Sequence, residues 1–301
     1  MCIRDSNQVH LGLQQASGGL IGIFEGYTAG DVRERTFGVD YIDNDTSAPG
    51  PDGQADPSGA HTINLTNLLV SRDNLRQAVL DLLVLEEAIP AMDVDGDTVP
   101  DFDADNISFM GHSLGGIAGS KFVGLSDKVK VSVQATTSGS IAQMLDGSAS
   151  FSPRIRAGLA AASGIPADDP AFEPAVLKPF LFAAQTVVDS GDPVNYAALA
   201  QMQATPMLAL QVQNDQVVPN AVPGAPLAGS IPHAALFGLP TLTESAATDR
   251  AFLKYVSGDH ASPLSPNADP AVTVSMQTAI AYFIASGGTQ VVVSDPNLVE
   301  P

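Results

Sequence analysis

Ser113, Asp215 and His260 are the residues of this chain whose types and order could perform nucleophilic acyl transfer. A serine hydroxyl is a weak nucleophile at neutral pH. It needs an imidazole to take its proton, and the imidazole needs a carboxylate to fix its tautomer and stabilise its cation. Ser113 lies in Gly111-His112-Ser113-Leu114-Gly115, behind the apolar run Ile107 to Met110 and ahead of the small residues Gly116, Ile117, Ala118, Gly119 and Ser120. That pattern predicts a strand, a sharp turn and a helix. The turn forces the serine into a strained backbone conformation, and Gly111 and Gly115 occupy flanking positions where no side chain fits. The Leu114 N–H would then face the oxygen that becomes negative during attack, supplying one oxyanion donor.

Five histidines compete for the base. His112 is inside the turn and is expected to point away from the serine, His10 and His61 precede it, and His233 lies in a proline-rich stretch with no strand before it. His260 follows a predicted strand, within Ser257-Gly258-Asp259-His260-Ala261-Ser262. Of the carboxylates, Asp189 and Asp192 belong to a helical region and Asp259 is pinned beside His260. Asp215 follows the buried run Met207 to Val212, and the carboxyl ends of parallel strands are where such sheets gather ligand-binding groups. Three independent positions thus agree in type, order and context.

The elements that would position these residues can be read from periodicity. Residues 71–89 form the clearest helix, with Leu75, Val79, Leu82, Leu83 and Leu85 near one face, Ser71 as cap and Pro90 as stop. Strands are expected at 107–110, 129–133, 207–212 and 251–256, and a last helix at 271–285. At most one strand is placed in residues 7–30, around 20–24. An arginine-rich segment at 31–37 leads into a Pro-, Gly- and Asp-rich loop over 44–59, and residues 219–240 read as loop. Alanine-rich helical pieces at 154–163, 171–188 and 196–203 interrupt the strand-helix rhythm. Such an insertion can cover a site with an apolar face suited to acyl chains, or bury its stripe in the core.

Asp93, Asp95, Asp97 and Asp101 alternate as the oxygen ligands of Ca²⁺ can, but the glycine and the missing closing glutamate depart from an EF-hand loop, so a solvated acidic turn is the competing reading. The acyl-transfer chemistry itself requires no cofactor.

The bulk numbers favour one large domain. The 301 residues are 45% hydrophobic, and no apolar run approaches the ~20 residues of a membrane helix. Against 13 basic residues stand 33 acidic ones, a formal charge of −20 that repels nucleic acid and anionic headgroups and suits salty surroundings. The single cysteine, Cys2, makes no internal disulfide. Met1 to Ser6 reads as neither helix, strand nor secretory signal, and is expected to be a leader foreign to the natural protein, with native sequence upstream.

The order Ser, Asp, His, each after a strand, is similar to that of the α/β-hydrolase superfamily. More closely, the chain resembles the bacterial extracellular lipases of the VolA type, also described as virulence-factor lipases. The resemblance rests on Arg35-Thr36-Phe37-Gly38-Val39-Asp40, on Gly50-Pro51-Asp52-Gly53 with Asp56-Pro57-Ser58-Gly59, and on Ser71-Arg72-Asp73-Asn74-Leu75-Arg76-Gln77. Gly111 to Gly115 and Asp189-Ser190-Gly191-Asp192-Pro193-Val194-Asn195-Tyr196 complete it. It implies an α/β fold with a mostly parallel sheet flanked by helices, and a helical cap inserted after the second strand of the elbow region. It also implies secretion or surface display, and hydrolysis of lipid esters or lysophospholipids with long acyl chains. Family members carry a longer N-terminal part holding the first strands and the loop with the second oxyanion donor. On that reading residues 1–6 are leader, 7–137 the first part of the core, 138–203 the cap, 204–288 the second part and 289–301 a peripheral tail. The expected partner is a lipid or small ester, with the cap available to a lipid surface. Alternatives are a short-chain carboxylesterase, or a non-catalytic binding protein on a hydrolase scaffold.

Overall fold

The computed structural model describes residues 2–3, 37–46, 48–64, 67–93 and 96–301. The strand expected at 20–24, most of the arginine-rich segment, and Asp95 lie outside the described residues.

A six-stranded sheet runs in the spatial order β1 (Cys2–Ile3), β2 (Ile107–His112), β3 (Val129–Ala135), β4 (Met207–Val212), β6 (Arg250–Tyr255) and β8 (Val299–Glu300). Its first five strands are parallel and β8 is antiparallel. A small antiparallel ladder joins β5 (Ala246–Ala247) to β7 (Gln290–Val291). Side chains alternate across the sheet as a period of two demands. From β4 and β6, Leu208, Leu210, Val212, Leu253 and Tyr255 meet Met276, Ile280 and Phe283 of the last helix, α9 (Pro270–Ala285). Met207, Ala209 and Phe252 face the other way. There they pack with α2 (Leu68–Ala88), α3 (Leu114–Leu125), α7 (Ala197–Gln203) and α8 (Ser230–Leu236). Both faces are covered, which is why Val131, Val133, Leu208, Leu210, Phe252 and Leu253 are all buried.

Four elements between β3 and β4 form a helical insertion: α4 (Ile141–Gly147), α5 (Ser152–Ser163), α6 (Lys178–Val188) and α7. A short helix, α1 (Ser58–Thr62), precedes α2.

Several expectations need correction. The helix expected from Ser71 begins at Leu68, because Asn67 caps it by accepting the Val70 N–H. Ser71 is instead buried, bonding both the N–H and the carbonyl of Asn64. The loop expected over 219–240 contains α8, since Pro232 falls in the first turn of a helix, where its missing N–H costs nothing. The piece expected over 171–188 is helical from Phe172, with a π-helical turn at Glu173–Leu177 running directly into α6. The tail after Gly287 is not peripheral. Val291, Val293 and Val299 are core residues, and β8 closes the edge of β6. Cys2–Ile3, expected to form no strand, pairs with Met110 and Gly111.

Candidate active site

The elbow is built as the glycines require. Ser113 has φ 55° and ψ −122°, a region where side chains are strained. Its N–H donates to the Ala135 carbonyl of β3 at 2.9 Å, tying the turn to the neighbouring strand. A Cβ on Gly111 would lie 2.5 Å from the Gly115 carbonyl oxygen, and one on Gly119 would lie 2.0 Å from the Phe109 ring. Small residues therefore let α3 lie directly on β2. The Ser113 side chain makes no capping bond to α3, whose first residue, Leu114, lines a chamber with it.

Asp215 and His260 come together from loops 45 residues apart in sequence. His260 Nδ1 donates to Asp215 Oδ2 at 2.7 Å, with the side chains 16% and 2% exposed. The other oxygen of Asp215 accepts the N–H groups of Val217 at 2.8 Å and Val218 at 3.1 Å, which holds the carboxylate in place. With Nδ1 protonated, Nε2 presents a lone pair. Ser113 Oγ itself makes no hydrogen bond among the described residues, so the hydroxyl-to-imidazole bond is not formed in this structure.

Sequence reasoning missed the part played by His112. It is buried, its Nε2–H donates to the His260 carbonyl at 2.7 Å and the two rings lie 4.9 Å apart. The residue immediately before the serine thus anchors the loop that carries the imidazole. The variable position inside Gly-x-Ser-x-Gly, occupied by a side chain with an N–H donor, was the available clue.

A chamber of about 320 Å³ opens over Ser113 and Leu114. Leu75, Ile117, Met144 and Val218 line it with the inner faces of α4 and α5, and Arg154 brings a charge to an otherwise apolar lining. A wider surface depression of about 580 Å³, between α7 and Leu236, holds no nucleophilic or ionisable side chain, so chemistry favours the smaller space.

Two buried ionic groups brace this arrangement. Asp192 accepts the Ser140, Ile141 and Val194 N–H groups and the Gln185 amide, at 2.7 to 3.0 Å, and so fixes the start of α4. Lys121 of α3 donates to the carbonyls of Leu75 and Gly191 at 2.9 and 2.7 Å; burial pushes its ammonium down to about 7, against the pull of Asp192. These bonds tie the elbow helix to α2 and to the insertion.

The remaining candidates have other partners. His61 pairs with buried Asp56 at 2.6 Å. Burial raises the Asp56 carboxyl, but the Tyr41 N–H, His61 and the Ile42 N–H together hold it below the usual carboxylate range. This clamp sets the segment whose Gly59 and Ile63 line the chamber. Far from being in a loop, His233 is buried in α8, stacked on Phe237 and 3.2 Å from Ser120 Oγ. Asp93 accepts the Gly96 and Thr98 N–H groups, both at 2.7 Å, and Asp97 accepts that of Val99 at 2.8 Å. These carboxylates order a turn, and among the described residues no three acidic, histidine or cysteine side chains converge as a metal site would require. Nor, among those residues, is any helix long and apolar enough to cross a membrane. Compared with models of known protein families and with curated protein sequences, the chain matches none.

Proposed function

We propose that this protein is a serine hydrolase of the α/β-hydrolase type that cleaves carboxylic esters with apolar acyl groups. The reading is carried by one observation above the others: a buried Asp215 bonded to His260, whose loop is tied to His112, the residue before a serine with positive φ at the head of a helix. His260 Nε2 removes the Ser113 proton as Oγ attacks the ester carbonyl, and Asp215 stabilises the imidazolium. The Leu114 N–H holds the oxyanion. The imidazolium then protonates the departing alcohol, and water, activated by the same ring, releases the acid. A rotation of the serine side chain or a small shift of the His260 loop brings Oγ to the ring, as is common when substrate-free sites close on binding.

The VolA-type likeness supports lipid esters as the natural substrates and an extracellular or cell-surface setting. The exposed Phe182 on α6, 76% accessible, gives the insertion an apolar point for contact with a lipid surface. Hydrolysis of p-nitrophenyl butyrate by the wild type, compared with Ser113→Ala, His260→Ala and Asp215→Asn, tests the reading. The expected result is turnover that falls at least ~10³-fold in each variant. Unchanged turnover in any of the three, with the protein folded, would count against it.

A further inference from the structure

The chamber over Ser113 shares a wall with a second, smaller hollow. Four side chains, Ile63, Ile141, Leu145 and Ile155, line both. The hollow holds only about 20 Å³ and is walled by α2 and α6 through Leu68, Phe180 and Leu181. The only polar side chain lining it, Ser71, already bonds Asn64, so this partly open hollow is apolar, with room for about one water. The four shared side chains separate it from the chamber that Ser113 lines.

We propose that Leu145 and Ile155, with Ile63 and Ile141, form the floor that sets acyl length, so that the protein prefers medium-chain esters of the octanoyl class and stores the space for longer chains behind that floor. The inference rests on the acyl-transfer reading above. The chamber volume is near the lower end of ligand sites, ~300 to 1,000 Å³, which fits a medium chain better than a long one. Leu145 is the residue to move, because α4 carries it from the chamber side and its removal joins the two spaces. A longer chain would then gain burial methylene by methylene.

The test is a series of p-nitrophenyl butyrate, octanoate, dodecanoate and palmitate esters, read as kcat/KM. In the wild type octanoate should exceed palmitate. Leu145→Ala should raise the palmitate-to-octanoate ratio about tenfold, and Ile155→Val, a milder change that keeps the fold, about fourfold in the same direction. Leu145→Phe should lower the octanoate-to-butyrate ratio about tenfold. Folded variants whose length profiles match the wild type, or a wild type that prefers palmitate, would overturn the floor while leaving the acyl-transfer reading intact. A folded wild type that turns over no ester at all would instead remove the reading on which the floor depends.

Discussion

His112 and His260 are joined through ring and backbone: the Nε2–H of the first donates to the carbonyl of the second at 2.7 Å. The strand that leads into Ser113 therefore also fixes the loop that carries the His260 imidazole. Replacing His112 with Ala removes the donor to the part-buried His260 carbonyl, a loss of about 1 kcal/mol, and should lower kcat/KM by up to about tenfold. His112→Gln keeps an N–H and should recover part of the loss. Equal activity in the Ala variant and the wild type would show that the loop is held by other means.

Gly111→Ala should be severe. The added Cβ meets backbone, the Gly115 carbonyl oxygen at 2.5 Å and the Gly116 Cα at 2.8 Å, so neither neighbour can rotate away. A loss of about 2 to 3 kcal/mol in urea unfolding is expected, with activity lost through displacement of Ser113.

Asp192→Asn should destabilise the insertion. Its two oxygens each accept two donors, so an amide turns one acceptor into an N–H facing the Ile141 N–H and the Gln185 amide, or the Ser140 and Val194 N–H groups. About 3 kcal/mol of stability should be lost. Because Ile141 lines the chamber, KM should also rise. Denaturant unfolding and ester kinetics measure the two effects separately.

His233 makes acid stability predictable in sign. Burial lowers its pKa from 6.5 to about 3, so between those values the unfolded chain binds a proton that the folded protein refuses. Its contribution is fully present above 6.5 and is lost as pH falls toward 3. Unfolding free energy should decline over that window, and His233→Asn should show a flatter curve. An equally steep curve in the variant would assign the slope to other groups.

Much of the frame was legible because its causes are local. The bounds of β4 were read correctly, since its run is apolar but for Gln211 and is buried along its whole length. The elbow could be read because its glycines, serine and flanking strand are contiguous. What stayed hidden depends on distant partners. Asp192 looked like one more insertion carboxylate, yet its backbone donors at Ser140 and Ile141 lie 52 and 51 residues away. The helix at Ser230–Leu236 was masked by prolines that mark a helix start as readily as a loop, and β8 is a strand only because the edge of β6 needs a partner.

The most direct test of the central claim is reaction of the folded protein with a fluorophosphonate, followed by peptide mapping. The account predicts a single adduct on the peptide that contains Ser113, and a rate at least ~10³-fold slower in His260→Ala. A folded wild type that stays unlabelled, or carries its adduct on any other residue, would contradict it.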